Sequence, residues 1–227
     1  MRISVLYDVH ANLPAATAVL DEIEASDLVL VGGDVVWGPW PQETMDLLRG
    51  LPSVEFIMGN ADRDVFDRVG GDWKVTNDWC ADRLDVDHLT FLASRPATLS
   101  FDGVLFCHGS PRSDTENLTT GTSDERVRQA FEGVSERTVV FGHTHAQFER
   151  TVDRWRLVNP GSVGNPFGEP GAYWARFVDG EPELRFTSYD VASTAEAVLA
   201  SGWPHAQMLA KQLREPAPAS AAAKFFG

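Results

Sequence analysis

Cysteine is scarce in this chain: Cys80 and Cys107 are the only two in 227 residues, too few for a disulfide framework. Basic residues are outnumbered, with 19 Lys and Arg against 33 Asp and Glu and a formal charge of −14. That balance argues against a nucleic-acid polymer as partner, because such binding rests on Lys and Arg neutralising phosphates. Long apolar runs are missing, so no membrane span is expected. Met1 leads straight into an apolar segment with no leader pattern, and a cytoplasmic protein is the expectation. No internal repeat is visible. What is present is a 43% hydrophobic composition, enough for one domain with a full core or one domain with a small appendage.

Five apolar, β-prone runs each end in a short polar motif. The runs are Ile3–Tyr7, Leu28–Val31, Val54–Met58, Val104–Phe106 and Thr138–Phe141. The motifs are Asp8-x-His10, Gly33-Asp34, Gly59-Asn60, His108-Gly109 and Gly142-His143-x-His145. Strands that end alike at one sheet edge deliver their terminal side chains to one crevice. Asp, His and Asn are types that bind Mn, Fe, Zn or Ni. Taken alone, His143 or Asp34 reads as a cap or a hydrogen-bonding group. Seven such residues, all at strand ends, read as a metal-ligand set.

The order of these motifs resembles the calcineurin-like metallophosphoesterase superfamily from Met1 to about Asp179, and most closely its small single-domain bacterial and archaeal branch. "DVHANL", "GDVVWGPWP", "CHGSP" and "NPGSVGNP" carry that likeness. The resemblance implies a four-layer αββα sandwich with two mixed sheets, and two divalent ions, Mn first among Mn, Fe, Zn and Ni. One ion would be held by Asp8, His10, Asp34 and His145, the other by Asp34, Asn60, His108 and His143, with Asp34 shared. A carboxylate between two dications offsets their repulsion, and a water shared by such ions becomes nucleophilic near neutral pH. The implied activity is hydrolysis of phosphoric esters, with diesters or nucleotide-like compounds as substrates. Asp34, Asn60 and His108 stand at the centre of that chemistry. A phosphomonoesterase is the alternative, and an interaction scaffold of the same fold is the rival from another class.

Two departures refine the expectation. Many relatives have His directly after the Asn; here the string is Asn60-Ala61-Asp62-Arg63. Substrates with better leaving groups, or another proton donor, are then expected, and Asp62 and Arg63 are nearest in sequence. Protein phosphatases of similar ligand order place Arg just after the second motif, whereas this chain has Trp37, Pro39 and Trp40. Trp37 is expected to pack its loop and Trp40 to line the pocket. Arg112 is a candidate phosphate contact. Asn159, in the "NPGS" turn, is a candidate substrate contact, with a tight structural turn as the plainer reading. His88 and His205 are expected on the surface, and Cys107 is read as a small buried thiol.

The organisation reads as βα units first and hairpins later. Helical spacing runs from Ala11 to Ser26, with Pro14 in a first turn that tolerates it. A short helix ends near Gly50, and Asp72 to Ala93 is mostly helical with Trp73 and Trp79 as packing anchors. A further helix is expected over "DERVRQAFEG". Turns are expected at Asp102-Gly103, Asp153-Arg154 and Asp179-Gly180, with alternating strands around them. The expected domains are a phosphoesterase domain over 1–190, a helical appendage over 191–215 broken by Gly202 and Pro204, and a flexible Ala/Pro-rich tail over 216–227. A homo-oligomer stays open.

Overall fold

The computed structural model describes residues 1–23 and 28–227, so the last residues of the helix expected over 11–26 lie outside the described residues. The chain begins with parallel strands β1 (Arg2–Leu6), β2 (Leu28–Val31) and β3 (Val54–Phe56), linked by helices α1 (Leu13–Glu22) and α2 (Pro41–Arg49). Helices α3 (Asn60–Phe66), α4 (Lys74–Ala81) and α5 (Val86–Ala93) follow, with a 3-10 turn at Gly71–Trp73. A second sheet is built from β4 (Thr98–Phe101), β5 (Val104–Cys107), β6 (Thr138–Val140), β7 (Phe148–Val152) and β8 (Trp155–Asn159), with α6 (Asp124–Ala130) between β5 and β6. The chain then returns to the first sheet with β9 (Ala172–Val178) and β10 (Glu181–Thr187). It closes with α7 (Val191–Ala200), α8 (Ala206–Arg214) and α9 (Ala219–Phe225).

Strand order is β10-β9-β1-β2-β3 in one sheet and β4-β5-β6-β8-β7 in the other. The second sheet has a parallel centre and two antiparallel edges, whereas the first is parallel from β1 to β3 and antiparallel only on the side where β9 and β10 return as a hairpin. Side chains of a strand alternate between faces, and that period divides the core into layers. Ile3, Val5, Tyr7, Leu28 and Leu30 meet Val104, Phe106, Val140 and Val158 between the two sheets. Leu6, Val29 and Val31 face the other way, under α1, α2 and the C-terminal helices. Leu105, Cys107, Val139 and Leu157 face Val127, Ala130 and Phe131 on the α6 side. The four-layer αββα order follows from this alternation.

Local signals explain several boundaries. Asn12 caps α1 by accepting from Ala15 N, and Pro14 sits in the first turn. Asp102 and Gly103 have φ of 53° and 76°, the paired left-handed values of a tight two-residue hairpin. The C-terminal region departs from expectation. Ala195, Val198, Trp203, Leu209 and Leu213 of the α7–α8 region join the core on β1 and β2, so these helices are built in rather than appended. The tail expected to be flexible forms α9, where buried Ala222 packs on Ala146 and Phe167. Among the described residues, no helix is long and apolar enough to cross a membrane.

Candidate metal centre

The five motif turns converge at the C-terminal edge of the two sheets. Asp8, His10 and His145 bring ligand atoms within 4.8 Å of one another, and so do Asp34, His108 and His143. Asn60 Oδ1 lies 3.1 Å from His108 Nε2, at the start of α3. The backbone is bent to make this possible. Asp8, His10, Asp34, His143 and His145 all have positive φ, between 49° and 65°. A left-handed residue with a side chain costs roughly 1–2 kcal/mol, and such strain persists where a function requires it. Gly33 and Gly59 let the second and third turns touch: a Cβ on Gly59 would sit 2.1 Å from Asp34 N, and one on Gly33 would sit 2.8 Å from His108 Nδ1.

Three imidazoles are oriented from behind by carbonyl oxygens. Nδ1 of His10 donates to Trp37 O at 3.2 Å, Nδ1 of His108 to Gly32 O at 2.8 Å, and Nδ1 of His145 to Asn165 O at 2.8 Å. A carbonyl only accepts, so each Nδ1 carries hydrogen and each Nε2 faces the centre. There His10 Nε2 and His145 Nε2 stand 3.1 Å apart. Two neutral rings would point lone pairs at each other across that gap; a proton or a cation between them removes the conflict. Asp8 Oδ1 lies 3.5 Å from His145 Nε2, and Asp34 Oδ1 lies 3.3 Å from His108 Nε2. Both carboxylates are also held by backbone: His143 N donates to Asp8 at 2.9 Å and Ala61 N to Asp34 at 2.8 Å.

Without metal, protons take the cation's place. Burial works against charge on His108, but Asp34 and Asp8 outweigh it and push the imidazole up to about 10. His145 is likewise raised, by Asp8 against burial. His10 goes down to about 4 through burial and the neighbouring His145, and His143 is lowered by burial and His108. Burial alone would raise Asp34 and Asp8, yet their histidine partners hold both below the usual range. The donor set of buried carboxylates, an amide oxygen and carbonyl-oriented imidazoles suits divalent first-row ions.

The other candidate residues divide. Asp62 is buried and accepts from Val35 N, Val36 N and Gly59 N, so it braces the second and third turns and does not reach the cavity. Asp64, which the sequence reading passed over, lines the cavity beside Asn60 and Ala61. Arg63 is tied to Asp114 and Asp64 at 2.8 and 3.2 Å. Arg112 is bound to Glu116 and Gln129 O, which fixes its own loop, and it is absent from the cavity walls. Asn159 is buried and holds the His143 turn through Gly142 O and Thr144 Oγ1, as a structural turn would.

The two tryptophans exchange roles. Trp40 precedes α2 and packs on the helix-side core, whereas Trp37 faces the metal-side cavities. Trp73, expected as a packing anchor, is 48% exposed and lines the same cavities. His88 is buried against Asp46 and Arg49, and His205 stands in an aromatic cluster with Trp37, Trp73 and Trp203; both were expected on the surface. Phe226 was missed altogether. Its ring centroid lies 6.0 Å from that of His143 and 6.4 Å from that of His145. A Phe at the end of an Ala/Pro-rich segment carries no local signal of such a contact.

The profile described as the calcineurin-like phosphoesterase superfamily domain matches residues 1–179. A metallophosphoesterase from Sphaerobacter thermophilus superimposes with a TM-score of 0.82 at 27% identity, covering 94% of this chain and 98% of that one. A hypothetical protein from Pyrococcus horikoshii OT3 also gives 0.82, at 19% identity over 96% of this chain and 99% of its own, a likeness of fold. By sequence, an uncharacterized protein of Methanocaldococcus jannaschii is 26% identical over 236 residues, which span 89% of this chain and 93% of that protein.

Proposed function

The chain belongs to the calcineurin-like phosphoesterase superfamily, and from that premise we propose that it is a two-metal hydrolase of phosphodiesters with small or nucleotide-like substituents. The observation that supports this most is the pair of ligand groups sharing one buried edge, Asp8, His10 and His145 beside Asp34, His108 and His143. Asp34 is the shared carboxylate in this reading, with Asn60 completing the second group. Two divalent ions held there would supply an activated water and charge stabilisation for the phosphoryl oxygens. Mn suits the mixed nitrogen and oxygen donors, with Fe, Zn and Ni as alternatives.

The protein's own groups do the rest. Carbonyl oxygens behind His10, His108 and His145 keep Nε2 facing inward, so little reorganisation is needed when ligands bind. Asn60 and His143 line the cavity of about 240 Å³ in front of the ligands. Ala61 adds no proton donor to it. Asp64, in the same wall, is the carboxyl placed to protonate a leaving oxygen, and burial raises its pKa against the pull of Arg63. Asp62, fixed by three backbone donors, does not take that part.

The test is a hydrolysis screen of mono- and diesters against metal-stripped protein, with each metal restored in turn. Diester turnover that returns with Mn and exceeds monoester turnover supports the proposal. Dominant monoester turnover would make the protein a phosphomonoesterase. No turnover with any metal and an intact fold would leave an interaction scaffold.

A further inference from the structure

A second cavity of about 510 Å³ adjoins the metal centre, within the usual size range of small-ligand sites. His10 and His145 form its inner edge. Trp37 and Trp73 form one aromatic group in its lining; Phe167, Phe225 and Phe226 form another. The Trp group is fixed in place. Trp73 packs edge-on against Trp37 at 5.4 Å, Trp37 packs edge-on against Trp203 at 5.0 Å, and Trp37 Nε1 donates to Asn77 Oδ1 at 3.2 Å. Phe225 and Phe226 are carried at the end of α9, held by Gly168 N donating to Ala217 O and by the burial of Ala222.

Phe225 and Phe226 lie outside residues 1–179, the part of the chain that matches the family, whereas Trp37, Trp73 and Phe167 lie within it. Apolar groups of the cavity are also left open: Trp73 is 48% exposed, Met208 43% and Phe225 75%, and all three border it. Exposed apolar area gathered at one concavity marks a binding site. Asn165 borders the cavity as well, with its carbonyl occupied by His145.

Resting on the hydrolase reading above, we propose that this cavity is the subsite for a flat aromatic ring on the phosphoester, of nucleobase size, packed against Trp73 and Phe226. A diester then places its two substituents on either side of Phe226, which borders both cavities. Trp73 and Phe226 are specificity residues in this arrangement, and the C-terminal segment is part of the substrate pocket.

The experiment uses the full chain loaded with Mn and three diesters that share one leaving group: methyl, phenyl and thymidine 5′-p-nitrophenyl phosphate. Because the leaving group is constant, kcat/KM reports the other substituent. The expected order is thymidine above phenyl above methyl. Phe226→Ala and Trp73→Ala should each shrink the thymidine-to-methyl ratio by roughly 3- to 10-fold, the range of an aromatic pair beyond its buried area. Calorimetric binding of phenylphosphonate against methylphosphonate gives a readout without turnover. Methyl ester hydrolysis with no ring preference, and ratios unchanged in both variants, would overturn the subsite while the hydrolase reading stands. A phenylphosphonate preference that depends on Phe226, with no diester hydrolysed, would keep the aromatic site and overturn the hydrolase reading.

Discussion

At the scale of single residues, the centre is a set of histidines whose protons stand where cations belong. His108 is pushed up to about 10, so it holds a proton at pH 7 in the metal-free protein, and His145 is raised as well by Asp8 against burial. Metal must displace such protons. Loading at pH 7 should therefore release protons, seen by calorimetry in buffers of different ionisation enthalpy. Affinity should weaken by roughly tenfold per pH unit for each displaced proton as pH falls. No net proton release would contradict the assigned ring states. The same raised pKa gives the metal-free protein a stability term that is full below about 6.5 and lost as pH rises to about 10. Its melting temperature should drop across that window, and bound metal should remove the drop. Asp64 yields a further prediction. General acid catalysis is typically worth about 10²–10⁴-fold and matters most for basic leaving groups. Asp64→Asn should slow alkyl diesters by about 10²-fold while nitrophenyl diesters change only a few-fold. Equal losses on both would remove Asp64 as the proton donor.

At the scale of elements, the decisive feature is the turn that follows each central strand. Gly33→Ala and Gly59→Ala would drive a methyl group into the opposite turn, onto His108 Nδ1 and Gly59 Cα in one case and onto Asp34 N in the other. Each variant should lose metal affinity as well as stability, with melting and metal content measured together. Near-native metal content in either would show that the turns can separate without cost to the site. These turns were legible in the sequence because Gly, Asp, His and Asn interrupt apolar runs at strand spacing. The hairpin at Asp102-Gly103 was legible for the same local reason. The walls of the pocket were not. Trp37 and Trp40 stand in one loop, and whether each faces core or cavity is decided by the start of α2 and by the packing of Trp203 from far along the chain. Helix α9 shows the limit most clearly: its Ala-rich composition resembles a solvated tail, and only contacts with Ala146, Phe167, His143 and His145 give it a place.

At the scale of the whole molecule, two sheets turn the C-terminal edges of their parallel strands towards one point, and a chain of formal charge −14 concentrates buried carboxylates there. Divalent ions offset part of that charge where it is densest. A ligand that binds only the folded state stabilises it by about 2.7 kcal/mol at a hundredfold excess over its Kd, so Mn should raise the melting temperature by several degrees. Asp34→Asn should lose most of this gain, together with metal content, because a neutral amide cannot offset two dications. The exposed Asp82→Asn, outside any group of candidate ligands among the described residues, serves as the matched control. A two-ion centre that hydrolyses phosphodiesters is tested most directly by one titration. Metal-stripped protein is titrated with Mn while bound metal and bis(p-nitrophenyl) phosphate turnover are measured on the same samples. Two ions per chain are expected, with activity that reaches its plateau as the second is bound. A folded chain that saturates at one ion, or binds two and stays inactive on the diester, would contradict it.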